Sequence, residues 1–190
     1  MKEKISKLIK DSIETKEKML STEQLEMLEK IASSLINAYK SCKKMVVFGN
    51  GGSAGDSQHF AAEMISRFEK ERMALPAIAF TTNTSTISAI GNDYSFDNVF
   101  SRQVEALVNE GDIVFGFSTS GNSPNVIKGI EEAKKLKAIT IGFTGAKDSK
   151  LKKTADLCFC APSIVTGRIQ ECHILAIHII CALVEEKLFA

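Results

Sequence analysis

Five short apolar runs, at positions 45–48, 77–81, 113–118, 138–143 and 156–161, are separated by intervals long enough to hold a helix. Several are nearly continuous in β-branched or aromatic residues, the pattern of strands buried on both faces of a parallel sheet. Helical patterns fall between them at 54–69, 84–91, 96–109 and 123–136. Parallel strands need crossover connections, so this alternation predicts an α/β fold, a doubly wound five-stranded parallel sheet flanked by helices. A chain of 190 residues is the size of one domain with a substantial core.

Ahead of the first run, apolar residues recur at helical spacing: Ile5, Leu8, Ile9 and Ile13, then Leu25, Leu28, Ile31, Leu35 and Ile36. Ser21-Thr22-Glu23 reads as a helix start between the two sets. The expectation is a helical N-terminal extension over 1–42 followed by a sheet domain over 43–190, with the extension's stripe packed on a partner subunit. There is no internal repeat, low-complexity tract or long linker.

The formal charge is +1, which argues against a duplex-binding surface. Lysines cluster at 134, 135 and 137 and at 147, 150, 152 and 153, but Glu131, Glu132 and Asp148 interleave with or flank them, as on solvated helix faces. The five cysteines, Cys42, Cys158, Cys160, Cys172 and Cys181, lack paired CxxC spacing and lie among apolar residues. They are expected to be free, buried thiols in a reducing compartment. Residues 1–5 mix both charge signs and do not read as a secretory signal. The longest apolar stretch, 174–184, falls short of the roughly 20 residues that span a bilayer. A cytoplasmic protein with neither nucleic acid nor membrane as partner is expected.

In doubly wound sheets, ligands bind beyond the carboxyl ends of the strands where strand order reverses. Two polar loops fall at such ends: Gly49-Asn50-Gly51-Gly52-Ser53 after the first strand and Ser118-Thr119-Ser120-Gly121-Asn122-Ser123 after the third. The second opens a helix at Ser123-Pro124, with Pro at a favoured first position. A helix N-terminus preceded by hydroxyls offers N–H groups and a favourable dipole to a phosphate. No Walker A or dinucleotide fingerprint is present, so a small phosphoester is expected rather than a nucleotide.

If the residues after Gly55 are helical, His59 and Glu63 stand at i and i+4 and project from one face. That pair suits a shared metal ion or acid/base chemistry. On a later helix Gln170 and His178 are eight residues apart, about 80° of rotation and roughly 12 Å of rise. Either one ion is gripped by both ends of that segment, or the two residues serve sites built from different chains. His178 lies inside the apolar run 174–184, where an imidazole needs a specific partner. His173 is expected to cap or bridge locally, and Arg168 and Glu171 to be structural. Asn92 and Asp93 read equally as turn residues or as sugar ligands. Arg67 carries no assignment.

Phe48-Gly49-Asn50-Gly51-Gly52-Ser53, the 118–123 loop and Arg168-Ile169-Gln170-Glu171 together resemble the marks of the sugar isomerase (SIS) domain. With His59, Glu63, Gln170 and His178 added, the chain resembles the phosphoheptose isomerases within that family, over nearly its whole length. The resemblance implies a homotetramer with active sites at subunit interfaces. It implies conversion of D-sedoheptulose 7-phosphate, a phosphorylated seven-carbon sugar, into D-glycero-D-manno-heptose 7-phosphate, toward lipopolysaccharide core or capsule. It implies that Ser118, Thr119, Ser120 and Ser123 hold the phosphate, and that Asn50, Gly51, Gly52, Asn92 and Asp93 contact the sugar. Glu63 and Gln170 would also touch substrate. His59, Glu63, Gln170 and His178 would hold one zinc ion per subunit, with Glu63 and His178 as the proton-transfer pair. Gly167 stands where these enzymes often carry an acidic residue, which bears on a polar contact and on sugar preference. The alternative is a non-catalytic SIS adaptor that binds the replication initiator protein; residues 64–72 look more like that adaptor, but it lacks the glutamate and histidine retained here. A phosphosugar-sensing regulator is the third reading, and the same two residues argue against it.

Overall fold

The computed structural model describes residues 1–190. All five expected strands form: β1 (Met45–Gly49), β2 (Ala77–Ala79), β3 (Ile113–Phe117), β4 (Ile139–Thr144) and β5 (Leu157–Cys160). They make one parallel sheet in the order β2-β1-β3-β4-β5. β1 and β3 are buried along their whole length, which is why both read as unbroken apolar runs. β2 is an edge strand and shorter than its run, with Ile78 36% exposed.

Eight α-helices surround the sheet: α1 (Lys2–Glu17), α2 (Thr22–Lys40), α3 (Gly52–Ile65), α4 (Thr84–Asp93), α5 (Ser101–Leu107), α6 (Pro124–Lys135), α7 (Lys150–Thr154) and α8 (Thr166–Leu188). Alternation along the strands divides the core. Met45, Val47, Phe115, Phe117 and Phe143 pack with α2, α3 and α8, whereas Val46, Phe48 and Val114 pack with α5 and α6. The expected helix at 96–109 splits into a 3-10 turn at Phe96–Asn98 and α5. α3 stops at Ile65 rather than running to 69, because the N–H groups of Phe68, Glu69 and Lys70 donate to the Glu185 carboxylate, 2.8 Å each, instead of to a preceding turn.

The N-terminal stripe divides in two. On α2, Leu28, Ile31, Leu35 and Ile36 are buried in this chain's own core. On α1, Ile5, Leu8, Ile9 and Ile13 remain about half exposed, at 51, 49, 56 and 51%. α1 is tied to α8 by polar contacts: Arg168 Nη1 donates to Leu8 O (2.6 Å) and Ser12 Oγ to Glu171 Oε2 (2.6 Å). Arg168 and Glu171, which also pair with each other, are thus structural as expected.

The apolar run at 174–184 belongs to a 23-residue helix that is long and apolar enough, by length and composition, to cross a bilayer. Its Ile169, Cys172, Ala176, Ile177, Ile180 and Val184 are buried in the larger core, so α8 is a core helix here. All five cysteines are free, but only Cys172 and Cys181 are buried. Cys42 is exposed because it occupies a left-handed turn (φ 57°) just after α2, outside any packed face.

Candidate active site

Strand order reverses at β1, which has β2 on one side and β3 on the other. The loops leaving β1 and β3 therefore emerge side by side, with Gly49 opposite Phe117 at the strand ends. A reciprocal amide pair joins them: Asn50 Nδ2 donates to Asn125 Oδ1 and Asn125 Nδ2 to Asn50 Oδ1, both at 2.9 Å. Asn125 is 2% exposed and also accepts from Val126 N. The sequence reading missed this residue; a carboxamide in the first turn of a helix after a hydroxyl-rich loop was its only signal.

Gly51 takes φ +56°, which the turn into α3 requires. A Cβ on Gly52 would collide with the Gln170 amide, so this side chain can lie against the loop only while a glycine stands there. Gln170 is thereby placed at the loop that follows β1.

In the second loop, Ser118 Oγ lies 2.9 Å from Ser123 Oγ and 3.3 Å from Ser120 Oγ. Ser123 precedes α6 without its side chain capping the helix, leaving the hydroxyl in this cluster. The backbone N–H groups of Thr119, Ser120 and Ser123 donate to no other group of the chain. Hydroxyls and free amides thus converge at the start of a helix, the arrangement that takes an anion. Gly121, at φ +64°, makes the turn possible; a Cβ there would run into Ser149 and Thr144. A cavity of about 360 Å³ opens beside the cluster, lined by Thr119, Ser120, Lys147 and Thr166 among others.

His59 and Glu63 share a face of α3, with His59 Nε2 3.2 Å from Glu63 Oε1. His59 Nε2 is also 3.0 Å from His178 Nε2 on α8. α3 and α8 run the same way past each other, since Gly52 meets Gln170 and, further along both helices, His59 meets His178. Within this chain the two residues separate: Gln170 lies against Gly52 in the loop after β1, and His178 lies against His59, whose Nε2 also contacts Glu63. Gln170 makes no hydrogen bond to any of His59, Glu63 or His178.

His59 Nε2 cannot donate to Glu63 and accept from His178 at once, because a ring nitrogen either carries a proton or has a free lone pair. One of its two contacts is therefore unsatisfied unless a cation or a mobile proton serves both. Two imidazole nitrogens and a carboxylate oxygen are a fitting zinc set. Bonds of about 2.1 Å at tetrahedral angles hold donors about 3.4 Å apart; the two contacts on His59 Nε2 come near that spacing, but the three side chains do not, as they stand, close on one point.

Phe68 stacks obliquely on His178, with ring centroids 5.5 Å apart. The loop carrying Phe68 is held by Glu185, which accepts three backbone N–H groups and pairs with Arg72 Nε at 2.9 Å. Burial works to raise the Glu185 pKa, but the N–H groups of Phe68, Lys70 and Glu69 with Arg72 outweigh it and hold it near 2, about 2 against an ordinary 4.5. Arg72 also donates to Glu63 O at 2.7 Å, fixing the end of α3. Neither residue was singled out in the sequence. Asp56, one turn before His59, was missed too; burial pushes it up to about 6 while His59 pulls the other way, and its Oδ2 has no partner.

Four residues lie apart. Asn92 and Asp93 end α4 rather than forming a turn, Asn92 Nδ2 donates to Asp93 Oδ1 (2.8 Å), and Asp93 lines a separate cavity of about 480 Å³ against β2. Arg67 makes an exposed ion pair with Glu71 at 3.7 Å. His173 is a core histidine, its Nε2 3.1 Å from Thr144 O among Phe117, Phe143 and Phe159. Burial brings it down to about 4, so it is neutral and has no place among the titrating groups of the site.

The SIS domain family model matches residues 8–145. A phosphoheptose isomerase from Clostridium acetobutylicum is 50% identical over 190 residues, covering 100% of this chain and 97% of that protein. The structure of a phosphoheptose isomerase from Neisseria gonorrhoeae superposes with a TM-score of 0.92 at 39% identity, over 97% of this chain and 98% of that one. One from Francisella tularensis gives 0.93 at 34% identity, over 97% of each chain.

Proposed function

The chain belongs to the SIS domain family and, within it, to the phosphoheptose isomerases; we propose from this and from its site how it interconverts D-sedoheptulose 7-phosphate and D-glycero-D-manno-heptose 7-phosphate. The single observation that carries the mechanism is the contact of His59 with both Glu63 and His178, the latter from a helix distant in sequence.

The 118–123 loop holds the 7-phosphate through Ser118, Thr119, Ser120 and Ser123 and the free N–H groups. The sugar then runs across the crevice toward Asn50, Gly51, Gly52 and Gln170, where the Asn125 amide keeps Asn50 in register. At the reacting end, isomerisation moves a proton from C1 to C2 and a hydroxyl proton from O1 to O2. Glu63 takes the C1 proton, giving an enediol, and returns it to C2. His178, packed against Phe68, passes the oxygen-bound proton, a task an imidazole performs near neutral pH. Zinc held by His59, Glu63 and His178, with Gln170 the fourth ligand suggested by resemblance, would supply Lewis-acid stabilisation of the enediolate oxygens.

The same reading takes the enzyme as a cytoplasmic homotetramer feeding lipopolysaccharide or capsule heptose. The exposed apolar face of α1 supports self-association, and the remoteness of Asn92 and Asp93 from the trio suits a sugar contact made across a subunit boundary. Retention of Glu63 and His178 weighs against the adaptor reading, and residues 64–72, which prompted it, are occupied in the Glu185 clamp. Incubating the purified protein with sedoheptulose 7-phosphate, with and without chelator, and identifying the product by NMR tests the assignment; an absence of aldose under both conditions, with zinc supplied, contradicts it.

A further inference from the structure

Cys158 and Cys160 alternate with Phe159 along edge strand β5, so their side chains leave the same face of the sheet, opposite the buried phenyl ring. Their sulfurs are 3.9 Å apart and unbonded, and both residues are only partly covered. They line a cavity of about 230 Å³ together with Gln24, Lys152 and Glu23. Gln24 adds a second observation in the same cavity. Its Nε2 donates to Cys160 O at 2.9 Å, which fixes the amide, while its Oε1 is buried without any hydrogen-bond partner.

Two metal–sulfur bonds of about 2.3 Å at the tetrahedral angle put their sulfurs about 3.8 Å apart. A disulfide instead requires about 2.05 Å between sulfurs and Cα atoms no more than about 6.8 Å apart, near the limit for residues two apart on an extended strand. The pair is spaced for an ion between the sulfurs and not for a bond joining them.

We propose that Cys158 and Cys160 form a binding site for a soft divalent cation, zinc(II) or a heavier thiophilic analogue, separate from the isomerase centre. On binding, two S–H bonds give way to two metal–sulfur bonds and two protons leave to solvent. No third histidine, cysteine or carboxylate closes on the pair. The ion therefore keeps open positions toward the cavity, where water completes its shell, and exchanges with solution.

Cadmium(II) titration of the Cys42→Ser protein under a non-thiol reductant reads this directly, because thiolate-to-cadmium charge transfer absorbs in the ultraviolet and histidine or carboxylate ligation at the isomerase centre does not. The expected result is a saturable ultraviolet rise that weakens at least ten-fold in affinity in Cys158→Ser and in Cys160→Ser, while both variants keep unchanged isomerase turnover and circular dichroism. No rise in the Cys42→Ser protein, or a rise of equal size and affinity in the two further variants, overturns the proposal.

Discussion

His59 Nε2 on α3 lies 3.0 Å from His178 Nε2 on α8, a contact between residues 119 positions apart. With Glu63 Oε1 at 3.2 Å from the same nitrogen, this contact centres the candidate metal set on His59. His59→Gln is expected to lower zinc affinity by at least about 10- to 100-fold while the fold persists. Zinc content measured after dialysis against a weak chelator checks this; equal retention by the variant and the unaltered protein contradicts a site centred there.

Gly52→Ala places a methyl group where the Gln170 amide now lies. Because Gln170 is flexible, the collision moves that side chain rather than the helices. kcat/KM is expected to fall about 10- to 100-fold with little change in Tm. A large loss of Tm with unchanged kinetics would show that the contact supports the fold and not the substrate.

Asn125→Leu removes one half of the reciprocal pair that joins the two loops and strands the Asn50 amide. The cost of an unsatisfied, largely buried polar group is about 1–3 kcal/mol, read by urea denaturation, and KM should rise as the β1 loop loses its register.

Glu185→Gln removes the charge that opposes Arg72 in a pair whose side chains are 2% and 1% exposed. Breaking a buried pair from one side costs about 3–5 kcal/mol. The loop holding Phe68 is also released, so kcat should fall together with stability; retention of both would remove the clamp from the account.

The pH dependence of stability carries its own sign. His173 has a folded pKa of about 4, below its ordinary 6.5, so between those values the unfolded chain binds the extra proton. Its contribution is complete above pH 6.5 and is lost as pH falls toward 4, for a total of about 3 kcal/mol. Urea denaturation from pH 7 to 4.5 should show this slope in the unaltered protein and a shallower one in His173→Leu. Glu185 acts lower, losing its contribution as pH falls from about 4.5 through 2.

The strands were legible because burial on both faces writes a continuous apolar run, and the two glycine- and serine-bearing loops were legible because strand ends are where such a fold binds ligands. His59 and Glu63 could be paired from helical spacing alone. What the sequence left open was how α8 meets α3: a spacing of eight residues is compatible with one ion or with two sites, and only the parallel course of the two helices decides which residue faces which. Asn125, Arg72 and Glu185 act through partners 75 to 117 positions away, a distance on which local periodicity carries no information. The end of α3 and the exposure of Cys42 were misjudged for related reasons, since a carboxylate from α8 captures the amides after Ile65 and a left-handed turn lifts Cys42 out of the core.

The most direct measurement compares the initial rate of aldose formation from sedoheptulose 7-phosphate by the unaltered protein and by Glu63→Gln, both shown by circular dichroism to be folded. The account predicts steady conversion by the first and a loss of roughly 100- to 10,000-fold in the second, the range expected when a general base is removed. Undiminished turnover by Glu63→Gln would contradict it.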